Sequence, residues 1–148
     1  GAGHCAAKLA PVLSTLGFFI TVIDDRPDFA SPERFPTADR LVVPQSFDNV
    51  VETLPIDADS YLVIVTRGHD HDTSVLAQSL KTRARYIGMI GSRKKIGDAF
   101  KDLSDQGFSS DDLARVHAPI GLPIGAETPE EIAISIAAQL IQVRSTKS

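Results

Sequence analysis

The chain opens on Gly1-Ala2-Gly3-His4, and with Ala6 this reads as a G-x-G-x-x-A turn. Glycines at those positions permit a tight turn and let a pyrophosphate approach the N-terminus of the following helix. Roughly twenty residues later Asp24 ends an apolar run, the place where an acid binds ribose hydroxyls in dinucleotide folds. Asp25 and Arg26 follow it directly. Arg26 suits a 2′-phosphate, and it suits equally an ion pair with Asp24 or Asp25, so the phosphate state of a ligand stays open. A purely structural turn, with Asp24 a solvated strand end, is the competing reading.

Two further segments have chemistry-bearing residues. Thr66-Arg67-Gly68-His69-Asp70-His71-Asp72 follows the most apolar short run of the chain, YLVIV. Alternating His and Asp suggest a divalent metal, yet adjacent positions rarely converge on one ion. Three readings stand: Asp70 or Asp72 caps the next helix, Arg67 or His69 contacts a ligand, or the segment binds metal. Gly91-Ser92-Arg93-Lys94-Lys95 places three cations in the first turn of a helix, where the macrodipole disfavours them and a bound anion would relieve the conflict. A solvated basic turn explains the same residues. The four histidines, His4, His69, His71 and His117, all fall near predicted strand ends; His4 and His69 are the site candidates among them. Cys5 lies where a helix start lowers a thiol pKa, and it also suits a small buried packing residue. No nucleophile–base–orienter set is recognisable. The residues are equipped to hold a phosphorylated ligand rather than to transform one.

The elements that must position these groups alternate strand and helix. Helices are predicted over 6–16, 46–54 (capped by Ser46), 73–81, 92–106 and 109–115. Strands are predicted over 18–23, 40–43, 61–65, 86–90 and 116–118. Residues 27–38, with three prolines, form a loop, and PIGLPIG is a shaped loop. The last helix has the clearest start: Thr128 as N-cap, Pro129 in the first turn and Glu131 completing a capping box. Its body is apolar nearly all round, which predicts burial. Strands separated by helices imply right-handed crossovers and a mostly parallel sheet with helices on both faces, a Rossmann-like doubly wound α/β fold. The glycine loop should follow a strand, so the first strand is expected upstream of residue 1.

With 148 residues, one domain is expected. The formal net charge of −4 offers no basic field for nucleic acid. No apolar run approaches the ~20 residues needed to span a bilayer. The single cysteine excludes an internal disulfide framework and fits a cytoplasmic setting.

Together, GAGH, VIDDRPDFA with RFPTAD, VTRGHDHD, YIGMIGSRKK and HAPIGLPIGAETPEEIAISIAAQLI resemble, in order and over nearly the whole chain, the signature blocks of the XdhC/CoxI family. The resemblance implies the Rossmann-like C-terminal domain of a two-domain accessory protein, whose N-terminal domain is absent from this chain. It further implies binding of molybdenum cofactor (molybdopterin) and its maturation and insertion into xanthine dehydrogenase-type molybdoenzymes, with a cysteine desulfurase as a second partner. On this reading the site comprises Gly1, Ala2, Gly3, His4, Asp24, Asp25, Arg26, Thr66, Arg67, Gly68, His69, Gly91, Ser92, Arg93 and Lys94, with no catalytic or metal-ligating residue. An NAD(P)-dependent oxidoreductase and a nucleotide-sensing regulatory domain are the alternatives. A homodimer is a further expectation.

Overall fold

The computed structural model describes residues 1–146, apart from the side chain of His69. The chain divides into two compact units, Gly1–Ser46 with the segment from Gly121 onward, and Phe47–Ile120.

In the first unit, helix α1 (His4–Thr15) leads to strand β1 (Thr21–Ile23), which pairs in parallel with β2 (Arg40–Val42). Gly17, at φ 85°, ends α1 in a left-handed conformation that favours glycine. Pro11 lies inside α1 and removes one helical N–H without ending the helix. Ala2, Ala10, Ile20, Val22, Ala30 and Phe35 form this unit's core.

Helix α5 (Pro129–Ser145) packs on α1. Its start matches the expected capping box, with Thr128 and Glu131 exchanging side-chain and backbone bonds. The expectation that its body is largely buried holds for most of the helix but not for every face. Ile136 and Leu140 are buried, but Ile134 and Ile141 are 52% and 41% exposed. Two buried polar residues of α5 shape the preceding loop. Ser135 Oγ donates to the Leu122 carbonyl at 2.8 Å, and Gly121 N–H donates to Gln139 Oε1 at 2.9 Å. A side chain at Gly121 (φ 97°) would strike Ser135, so that position requires glycine on two counts.

In the second unit, parallel strands β3 (Tyr61–Ile64), β4 (Tyr86–Met89) and β5 (Val116–His117) stand in that order. Helix α2 (His69–Ser79) connects β3 to β4; α3 (Arg93–Asp105) and α4 (Ser110–Ala114) connect β4 to β5. All four residues of β4 are buried, as a central strand requires. Around them Ile64, Leu76, Leu80, Ile96 and Leu103 complete the core. The Tyr86 ring stacks on His117 with centroids 4.7 Å apart. Burial pushes the Tyr86 phenol up and the His117 imidazole down.

The parallel α/β architecture expected from the sequence is present, its strands grouped as a two-stranded and a three-stranded sheet. Two local expectations fail. The helix over 46–54 is a series of turns ending in one 3₁₀ turn, Val51–Thr53, because Asn49 adopts φ 55° and interrupts any helix there. Helix α2 begins at His69 rather than 73, with Gly68 as its N-cap.

Candidate functional site

The glycine loop is built around Ala2, which is fully buried. Its N–H donates to Asp24 Oδ2 at 2.9 Å, and its carbonyl accepts from Arg34 Nη2 at 3.0 Å. Gly3 is the N-cap of α1 and offers no side-chain cap. The Ala7 N–H donates to the Gly3 carbonyl at 3.0 Å, so the N–H groups of His4, Cys5 and Ala6 have no acceptor within the helix. No acidic residue occupies that first turn. A Cβ added at Gly3 would meet nothing within 4 Å, so the loop presents open space in front of a helix N-terminus. An anion is the group that such a place holds best. Cys5 lies in the same turn, and burial pushes its thiol up, which suits packing rather than reaction.

Asp24 is 1% exposed. Burial alone would raise its pKa. The Arg26 guanidinium and the N–H groups of Arg26 and Ala2 outweigh burial and hold the carboxyl well below the usual carboxylate range. Arg26 Nε and Nη2 donate to Asp24 Oδ1 and Oδ2 at 2.9 and 3.0 Å, a bidentate pair, and the Arg26 N–H donates to Oδ1 at 2.9 Å. Of the partners open to Arg26 in the sequence, Asp24 is one that it pairs with. The Arg26 guanidinium also lies 3.6 Å from the Phe29 ring centroid.

In the second unit, the turn after β3 and the turn after β4 meet. Thr66, Arg67, Gly68 and Asp72 line one cavity of about 150 Å³ with Met89, Ile90, Gly91 and Lys95. That is space for about five waters, or one phosphate-sized group. The Thr66 backbone N–H donates to Asp72 Oδ1 at 3.0 Å, and its hydroxyl donates to the same oxygen. Asp72 thus braces the turn from within the helix instead of capping it. Of the basic turn, Lys95 reaches the cavity; Arg93 and Lys94 are exposed and are not among its lining. Ser92 Oγ accepts from the Lys95 N–H at 3.2 Å and so caps α3. Asp72 and Lys95 have no motif that distinguishes them from their neighbours in sequence; only the helix phase from the true starts of α2 and α3 would have selected them. Gly91, at φ 151°, takes a conformation that L side chains rarely adopt. The side chain of His69 lies outside the described residues. His71 tilts against Phe47, with centroids 5.1 Å apart. Among the described residues no cluster of His, Cys, Asp or Glu could hold a metal ion, and no helix is long and apolar enough to cross a membrane.

A glycine turn at a helix start, an acid ending the next strand and parallel strands joined by helices define a Rossmann-type domain. Residues 1–140 match the XdhC Rossmann domain, and the chain belongs to that family. It is 37% identical over 145 residues to the uncharacterized protein YqeB of Escherichia coli (strain K12), covering 98% of this chain and 26% of that protein. It is 34% identical over 146 residues to a probable xanthine dehydrogenase subunit of Bacillus subtilis (strain 168), covering 97% and 41%. More distantly, it is 24% identical over 89 residues to the molybdenum cofactor insertion chaperone PaoD of E. coli (strain K12), covering 60% and 28%. A crystal structure described as a xanthine dehydrogenase from Bacillus halodurans superposes with a TM-score of 0.84 at 36% identity, over 100% of this chain and 42% of that one. The chain therefore spans between about a quarter and two fifths of the length of these relatives.

Proposed function

We propose that this domain holds molybdenum cofactor by its phosphate and acts in the maturation and insertion of that cofactor into a xanthine dehydrogenase-type molybdoenzyme. The observation that bears the reading is the glycine loop: Ala2 is fixed on both sides, Gly3 faces open space, and three helix N–H groups point outward from α1 without an internal acceptor. Family membership and the insertion chaperone among the relatives favour this cargo over a nicotinamide. The residues fit the group, because molybdopterin ends in a phosphate, or in a dinucleotide pyrophosphate in some forms, and the loop offers donors without acids. When bound, the cofactor supplies the redox-active molybdenum that the client enzyme needs. The chain's own residues hold and orient: the first turn of α1 binds the phosphate, and Thr66, Arg67, Gly91 and Lys95 line a second small pocket together with Asp72, Met89 and Ile90. A cysteine desulfurase partner and a homodimer belong to this proposal as well.

Mass spectrometry of the small molecule that co-purifies with the natural full-length protein tests the reading, together with transfer to an apo-hydroxylase. A retained, transferable pterin supports it; a retained nicotinamide dinucleotide with turnover would replace it by the oxidoreductase reading. For the second pocket, Lys95→Ala is expected to weaken anion binding by roughly three- to tenfold and to flatten its salt dependence. Arg93→Ala with Lys94→Ala should change it less. Equal effects in titrations at two ionic strengths would mean that the whole basic turn acts as a diffuse field.

A further inference from the structure

Asp24 stands where an acid would read the ribose diol of a dinucleotide, but its carboxylate faces the protein. A carboxylate offers about four acceptor positions. Those of Asp24 are occupied by the Ala2 N–H, the Arg26 N–H, and Arg26 Nε and Nη2, all at 2.9 to 3.0 Å, in a residue that is 1% exposed. A hydroxyl arriving from a ligand would have to displace a buried, charge-assisted bond.

The other side of Ala2 is held from the proline-containing loop. Arg34 Nη2 donates to the Ala2 carbonyl at 3.0 Å, and Arg34 Nε donates to the Phe29 carbonyl at 3.2 Å. Its guanidinium lies 5.0 Å from the Phe29 ring centroid, the same ring that Arg26 covers at 3.6 Å. One guanidinium fork thus spans two backbone carbonyls from distant parts of the chain, a geometry that a lysine ammonium cannot reproduce. Both polar backbone groups of Ala2 are spent on side chains, which fixes the peptide planes on either side of it. What remains for a ligand is the N–H edge beyond Gly3.

We propose that Asp24 and Arg34 are positioning residues that clamp Ala2 from opposite sides, so that the glycine loop selects its ligand by phosphate and is indifferent to a ribose diol. This rests on the phosphate-holding reading above. It goes beyond that reading by assigning Arg34 a role and by withdrawing Asp24 from ligand contact.

The test compares ADP with 2′,3′-dideoxy-ADP, with inorganic pyrophosphate as a third probe, in calorimetric titrations of the natural full-length protein. The two nucleotides are expected to bind within about threefold of each other, since no hydrogen bond to the hydroxyls is lost. A dideoxy compound that binds about tenfold or more weaker shows a charged acceptor reading the diol, and overturns the proposal. If none of the three probes binds, the phosphate-holding reading fails, and the proposal falls with it. Arg34→Ala should weaken ADP and pyrophosphate alike by about tenfold while leaving the ratio of ADP to dideoxy-ADP near one. Arg34→Lys should behave as Arg34→Ala does. Full recovery by the lysine variant would show that charge alone acts there and would remove Arg34 from the clamp. Any variant that fails to fold leaves the unmodified protein's diol ratio as the deciding measurement.

Discussion

Replacing Asp24 with alanine is expected to lower the stability of the protein by about 3 kcal/mol, within the range for breaking a buried ion pair. The substitution takes the bidentate carboxylate away from the Arg26 guanidinium and leaves the fully buried Ala2 N–H without its acceptor. For a chain of this size that loss corresponds to a fall of roughly 6–12 °C in Tm. A shift of under about 2 °C in a thermal melt would show that the pair contributes nothing net. The same carboxylate predicts an acid limit. Its folded pKa lies below that of an unfolded aspartate, about 3.9. The unfolded chain therefore binds the proton that the folded one refuses. Stability from this group is full well above the unfolded value and is lost progressively as pH falls from about 5 through that value toward the lower folded one. Asp24→Asn should flatten that decline in urea titrations across the acid range.

The second large effect concerns binding. Gly3→Val should leave the fold nearly intact, because a Cβ at Gly3 meets nothing within 4 Å and the residue's φ of −81° is open to any amino acid. The valine methyls would instead fill the space in front of the α1 N–H groups. A loss of about a hundredfold in affinity for the phosphorylated ligand is expected, about 2.7 kcal/mol. Normal binding by a folded Gly3→Val protein would mean that the loop is a structural turn. The two substitutions therefore separate the roles that neighbouring residues play: Asp24 builds the loop, and Gly3 leaves it open.

Much of this was legible in the residues, and what was not has identifiable causes. Alternating apolar and amphipathic runs placed the five strands and five α-helices of the described residues, and the Thr128–Glu131 pair marked the start of α5 because both halves of a capping box are local. The turn around Asn49 was hidden, since nothing adjacent signals that an asparagine will go left-handed. Helix α2 begins earlier than expected because Gly68 starts it with no side-chain cap, while Asp72, one of the two visible capping candidates, holds Thr66 instead. The Asp24–Arg26 pair could be read only as one of several options, and Arg34 not at all: its partners Ala2 and Phe29 are backbone carbonyls, which leave no trace in residue identity. The exposure of Ile134 and Ile141 likewise depends on which side of an evenly apolar helix finds a neighbour.

The ring stack of Tyr86 on His117 has a spectroscopic use. The chain has no tryptophan and two tyrosines, Tyr61 and Tyr86, both within Phe47–Ile120. Burial keeps Tyr86 protonated well above the usual range for a phenol. In alkaline buffer, unfolding should release its proton and add a step of tyrosinate absorbance in the near ultraviolet. That step reports one unit, whereas far-ultraviolet circular dichroism reports both. Following the two signals together in the Asp24→Ala protein turns an optical titration into a map of where a substitution does its damage.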